Sequence, residues 1–131
     1  MYKEVSNLVE LLEVRASQTP QNRAYTFLLD WESLEKPVTY QELANRAKAI
    51  ASKLQSLNFK GQRAILVYGN EQEFVEGFFA ALYAGVIPVP VYPPMKESAI
   101  NNILSIMTVT ETNLILTSSD TASKMKAFIP E

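Results

Sequence analysis

Residues 63–94, RAILVYGNEQEFVEGFFAALYAGVIPVPVYPP, constrain this chain more than any other stretch. They read as strand, turn, helix, turn, strand. Residues 64–68 are a short aliphatic run, the pattern of a strand buried on both faces. Gly69 breaks it. Asn70 is placed to cap the next helix, and Glu73, three residues on, completes a capping box. Phe74, Val75, Phe78, Phe79 and Leu82 recur at helical spacing as one wide apolar stripe. Gly85 stands where a helix ends in a left-handed cap. Residues 86–91 are again apolar and β-branched. Two hydrophobic strands joined by a helix form a βαβ unit, whose crossover is almost always right-handed. Both strand faces need cover, so the rest of the chain must supply it.

The uncharged run 77–95 approaches the length of a membrane span. Gly85, Pro88 and Pro90 interrupt it, and a helical stripe gives way to a strand pattern there, which rules that reading out. Alternate residues of a strand aim their backbone groups to the same side. Pro88 and Pro90 therefore both remove donors toward one neighbour. This strand is expected to pair regularly on one side only, or irregularly on the proline side.

A length of 131 residues suits one domain, and 47% hydrophobic content favours a packed core over disorder. A net charge of -2 gives no electrostatic case for nucleic acid. The basic residues Arg46, Lys48 and Lys53 fall on the polar side of a helix and read as a solvated face. Without cysteine there is no disulfide or thiol chemistry. Without histidine the commonest general base, the usual catalytic triad and most zinc sites are excluded. No apolar core follows residues 1–4, so no signal peptide is read and a cytoplasmic location is expected.

In chain order, Ser6 is a candidate cap for a helix to about Ser17, with Val5, Leu8, Val9, Leu12 and Ala16 as its apolar face. Residues 24–29 alternate as a strand. A polar loop, 30–36, carries Trp31 and Leu34, and residues 38–40 form the returning strand of a hairpin whose turn lacks Asn-Gly or Asp-Gly. Thr39 and Glu42 make a second capping box. Tyr40, Leu43, Ala44, Ala47, Ile50, Ala51, Leu54 and Leu57 follow at helical spacing, with Gly61 just past the end. Beyond the loop at 92–96, Ile100, Ile103, Leu104 and Met107 mark another helix, and residues 114–117 a third buried-type strand. Ser119 and Asp120 open a last helix, with Lys124 and Lys126 near its C-terminal end, where cations are favoured. Pro130 stops it. The fold class is α/β: a helix, hairpin and amphipathic helix over residues 1–61, then a βαβαβα parallel-sheet unit over residues 62–131. Three strands make a poor complete doubly wound sheet. The chain is therefore expected to be the incomplete first part of a larger domain.

Phosphate commonly binds at strand-to-helix turns. Here the first turn has one glycine where a dinucleotide fingerprint needs three, and Glu71 and Glu73 in the helix's first turn repel an anion. The second, Tyr92-Pro93-Pro94-Met95-Lys96-Glu97, has no glycine and few donors. The third, Thr117-Ser118-Ser119-Asp120, is a helix cap first and a weak phosphate candidate. Glu71, Glu73 and Glu76 read as a solvated face, and Phe74, Phe78 and Phe79 as core. Tyr92, beyond a strand's C-terminal end, is the most site-like aromatic, with rim packing its expected role. No catalytic, cofactor-binding or metal-binding residue is assigned.

Several strings resemble the N-terminal part of adenylate-forming enzymes, the acyl-CoA synthetase and adenylation-domain superfamily. They are Val38-Thr39-Tyr40-Gln41-Glu42-Leu43, the 47–57 helix, and Tyr83-Ala84-Gly85-Val86 leading to Val89-Pro90. Ala24-Tyr25-Thr26-Phe27-Leu28, Leu82-Tyr83-Ala84-Gly85-Val86-Ile87 and Val91-Tyr92-Pro93-Pro94 resemble fatty acyl-AMP ligases most. The likeness runs from about Leu8 to Thr117. Gln62 stands where the family usually has an acid, and Pro88 where a small residue is usual; neither position is catalytic there. The family's phosphate loop, its adenine- and ribose-holding motifs and its C-terminal lysine have no match in these residues.

The resemblance implies that the intact protein activates a fatty acid with ATP and Mg2+ to an acyl-adenylate. It then passes the acyl group to the phosphopantetheine of an acyl carrier protein, in lipid, polyketide or lipopeptide assembly. This segment would be a structural wall, packed against the remaining part of the adenylation domain and inactive alone. The alternatives are an acyl-CoA synthetase of the same superfamily, a non-catalytic partner-binding α/β module and a nucleotide-binding doubly wound domain.

Overall fold

A computed structural model describes residues 4–28, 35–69, 71–93 and 97–126. The cap expected at Asn70, the loop residues Trp31 and Leu34, the prolines Pro94 and Pro130, and Met95 and Lys96 lie outside these residues. The elements are α1 (Leu8–Gln18), β1 (Arg23–Leu28), β2 (Glu35–Thr39), α2 (Tyr40–Ser56), β3 (Arg63–Val67), α3 (Glu71–Ala84), β4 (Ile87–Val91), α4 (Glu97–Thr110), β5 (Ile115–Thr117) and α5 (Ser119–Lys126).

Local chemistry sets most of the boundaries. The α1 cap is Asn7, not Ser6: the Asn7 Oδ1 accepts the Glu10 N–H at 2.8 Å. Ser6 instead donates its N–H and hydroxyl to the Glu10 carboxylate, at 2.9 and 3.0 Å. At α2 the expected cap holds, with the Thr39 hydroxyl accepting the Glu42 N–H at 3.1 Å. The left-handed residue that ends α2 is Asn58, at φ 62°, ahead of Gly61 at φ 84°. Its N–H donates to the Gln55 carbonyl and that of Phe59 to the Leu54 carbonyl, which closes the last turn. Gly85, at φ 73°, ends α3 in the same way, with its N–H on Leu82 and that of Val86 on Ala81.

β1 and β2 pair antiparallel as expected, with a register irregularity between Arg23 and Tyr25. β3, β4 and β5 form a parallel sheet in the order β4-β3-β5. β3 is central, and Ala64, Ile65, Leu66 and Val67 are each fully buried. Its side chains alternate between two cores. Ala64 and Leu66 meet Ala81 and Ala84 of α3, with Ala51 and Leu54 of α2 behind them. Ile65 and Val67 meet Ile100 and Ile103 of α4 and Met125 of α5. A third core, around Leu12, Val38, Leu43 and Ala44, fastens α1 and the hairpin to α2 and α3 rather than to the sheet.

Four expectations need correction. On α3 the deeply buried residues are Gly77, Ala80, Ala81 and Ala84, while Phe74, Phe78 and Phe79 are only half-buried. α3 is wedged between sheet and α2, so its closest approaches need small side chains. On α1 only Leu12 is buried, and Leu8 is 49% exposed. Two other expected apolar positions, Leu57 on α2's end and Leu104 on α4, are exposed as well. β4 and β5 are half-buried rather than fully buried, because each borders the three-stranded sheet.

Candidate functional site

In open α/β sheets, ligands gather beyond the carboxyl ends of strands whose following helices lie on opposite faces. α3 follows β3 onto one face, and α4 and α5 follow β4 and β5 onto the other. On the β5 side α5 begins, and the Thr121 hydroxyl lies 3.5 Å from where a Gly69 Cβ would stand. On the β4 side it stays open as a cleft of about 490 Å³. Tyr68 and Gly69 line it from the β3 exit, Glu71 and Phe74 from the start of α3, and Pro90, Val91, Tyr92 and Pro93 from β4 and its exit.

Tyr68 forms the cleft's inner wall. Its ring lies so close to α3 that a Cβ on Gly77 would come within 2.5–2.8 Å of it. Burial, with Glu73 and Glu76 adding, pushes the Tyr68 phenol up to about 12, so it stays neutral. Tyr92 stands 93% exposed at the lip, so the rim packing expected of it is not formed among the described residues. Phe74 does double duty, packing against the core and lining the cleft.

The cleft's chemistry is apolar, with one acid, Glu71. Its turns do not fit a triphosphate. Glu71 and Glu73 occupy the first turn of α3, and Pro90 and Pro93 bring no N–H. At the third turn α5 opens at Ser119 as expected, and Ser118 is its cap. Its hydroxyl accepts the Thr121 N–H at 3.2 Å and donates to the Thr121 hydroxyl at 3.0 Å. The Thr117 hydroxyl donates to the Val67 carbonyl at 2.5 Å. Among the described residues no cluster of three or more acids could hold a metal ion. The described residues of these turns therefore do not form a cradle for ATP with Mg2+.

The acids and bases read as solvated faces are in part structural. Glu76 is only 14% exposed; it accepts the Arg46 guanidinium at 3.0 Å and the Gln72 amide at 3.1 Å. Lys48 pairs with Glu13 at 2.7 Å, and the Tyr83 hydroxyl donates to the same Glu13 oxygen at 2.7 Å. These contacts join α2 to α3 and to α1. Sequence alone did not reveal the Arg46–Glu76, Lys48–Glu13 and Tyr83–Glu13 contacts, because those partners lie tens of residues apart.

A three-stranded parallel sheet with helices packed on both faces defines the class as α/β. The chain belongs to the AMP-binding enzyme family, whose model matches residues 12–129. It is 32% identical over 126 residues to the medium-chain-fatty-acid–[acyl-carrier-protein] ligase JamA of Moorena producens, covering 94% of this chain and 21% of that protein. The crystal structure of a fatty acid AMP ligase from Legionella pneumophila superposes with a TM-score of 0.85 at 34% identity, over 92% of this chain and 21% of that one. The L. pneumophila fatty acyl-adenylate ligase in complex with acyl adenylate and pyrophosphate gives 0.84 at 34% identity, over 98% and 22%. The chain thus spans about a fifth of the length of the relatives it matches. It has the fold of the N-terminal part of adenylation-domain structures.

Proposed function

We propose that this chain is the N-terminal, structural part of a fatty acyl-AMP ligase. The intact protein converts a fatty acid and ATP, with Mg2+, to an acyl-adenylate and pyrophosphate. It then transfers the acyl group to the phosphopantetheine thiol of an acyl carrier protein, in the cytoplasm. The observation that carries this reading is the 34% identity and close superposition with a fatty acid AMP ligase over nearly the whole chain. Residues 1–61 serve as the outer helix-and-hairpin layer and residues 62–131 as a sheet wall, against which the remaining part of the adenylation domain packs. Adenylation needs donors around the leaving pyrophosphate and a cation to offset developing charge. The described residues of these turns offer no such set, which supports placing those groups elsewhere in the intact protein. None of the described helices is long and apolar enough to cross a membrane, which accords with this placement.

The test compares residues 1–131 with the full open reading frame, each given ATP, Mg2+ and a series of fatty acids. Fatty-acid-dependent pyrophosphate release is expected only from the longer protein. Turnover by residues 1–131 would locate a phosphate site here, with Ser118 and Ser119 the first residues to mutate. An inactive full-length protein would leave a shared fold without shared chemistry. Acyl-CoA as the released product would favour the acyl-CoA synthetase reading.

A further inference from the structure

We infer that the groove between α1 and the α2–α3 pair is a binding site for a free medium-chain alkyl carboxylate, its carboxylate on Arg15 and its chain along Leu8 and Leu11. The inference does not depend on the adenylation reading.

The groove exists because α1 is sparsely packed. Leu12 is its one buried residue among those described. Leu8 and Leu11 beside it are 49% and 38% exposed. With Leu12, with Leu43 of α2, and with Val75 and Phe79 of α3, they line a cavity of about 290 Å³. That volume is at the lower end for ligand sites and suits a slim molecule. Leu8, Leu11, Leu12 and Arg15 are spaced three and four apart, so they follow one side of α1. At about 1.5 Å of rise per residue, the line from Leu8 to Arg15 is about 10 Å long. The shape is a short apolar trough with a cation at one end.

Charge selects the ligand's head. Arg15 is the one charged residue among the described residues that line the cavity. The neighbouring acids of α1 are engaged elsewhere. Glu10 accepts the Ser6 N–H and hydroxyl, and Glu13 accepts Lys48 and the Tyr83 hydroxyl. Among the described residues no ion pair or side-chain hydrogen bond holds the Arg15 guanidinium. A guanidinium offers a planar fork that matches a carboxylate. The trough therefore complements a molecule with one negative charge at one end and methylenes behind it. An alkyl amine of the same length would meet repulsion, and a polyanion would find a single cation.

The test is photolabelling of the full-length protein, without ATP, by decanoate carrying a diazirine on its chain. Peptide mapping is expected to place saturable label on the segments around Leu11, Leu43 and Phe79. Free decanoate should compete, and decylamine should not. Arg15→Gln, with unchanged circular dichroism, should weaken labelling there about fivefold, the upper range for an exposed ion pair. Arg15→Lys should keep most of it. Lengthening the competing carboxylate should tighten its binding about fourfold per buried methylene, until the trough is full. Bound decanoate covers Leu8 and Leu11, so amide exchange across α1 should slow. Label that misses these segments, fails to saturate or yields equally to decylamine overturns the inference. So does undiminished labelling of Arg15→Gln. A full-length protein that makes no acyl-adenylate would refute the functional reading and leave this one standing; an active enzyme without label in this groove would do the reverse.

Discussion

Gly77 shows how one missing Cβ sets the spacing of a core. In the middle of a helix, alanine is ordinarily better than glycine by about 1 kcal/mol. Here the Tyr68 ring occupies the space, 2.5–2.8 Å from where that Cβ would be. Overpacking of this kind costs about 1–3 kcal/mol. Gly77→Ala is therefore expected to lower stability by about 1 kcal/mol in urea unfolding, and to be neutral or stabilising once Tyr68→Leu removes the ring. A loss that persists in the double variant would mean that the close contact is to something other than Tyr68. The buried phenols make a second prediction. Tyr25 and Tyr68 are both pushed up to about 12 from an ordinary 10.0, chiefly by burial. A raised folded-state value favours the neutral phenol, so its contribution to stability is complete below pH 10 and is lost as the pH rises from 10 toward 12. Ultraviolet titration should show late-ionising tyrosines, one of which disappears in Tyr68→Phe. Ionisation of every tyrosine near 10 would remove the basis for the prediction.

At the level of elements, α1 is held by few contacts. Leu12 is its one buried residue among those described, and Glu13 bridges it to both helices behind. Lys48 and the Tyr83 hydroxyl hold the Glu13 carboxyl below its ordinary 4.5. A lowered value means that the carboxylate's stabilisation is present above 4.5 and is lost as the pH falls through the folded-state value. Both side chains of the Lys48 pair are nearly half exposed, at 49% and 45%. Solvent screening therefore limits the effect to less than about 1 kcal/mol. Glu13→Gln should lower the urea midpoint slightly at pH 7 and flatten its fall below pH 4.5, with faster amide exchange confined to α1. An unchanged acid limb would show that the contact contributes nothing. The elements themselves were largely legible in the chain. The Thr39 cap, the Gly85 cap, the aliphatic run of β3 and, among the described residues, the one-sided pairing of β4 are local chemistry, and each formed as expected. The α1 cap moved by one residue because serine and asparagine adjoin there, and their order of preference is too close for sequence to choose.

For the whole molecule, residues 1–131 on their own are expected to be marginal or to self-associate. Ile87, Tyr92, Leu104 and Val109 are exposed, at 49%, 93%, 43% and 83%, and β5 is an edge of the sheet among the described residues. Sedimentation should show mass rising with concentration. A monomer at high concentration with a cooperative melt would mean that the three cores already suffice. Sequence by itself determined the order of elements, most of their caps and the parallel sheet, because each follows from propensity, periodicity and residue type within a few positions. The tertiary structure decided how deeply the apolar residues of α3 are buried. Periodicity finds the apolar side of a helix, but α3 lies between two layers, and there distance between backbones selects Gly77, Ala80, Ala81 and Ala84 over the phenylalanines. It also decided that Arg46 and Glu76 face each other, and that a cleft opens beside the β4 exit. Pairings across thirty or more residues depend on how layers stack, and no local pattern encodes that distance.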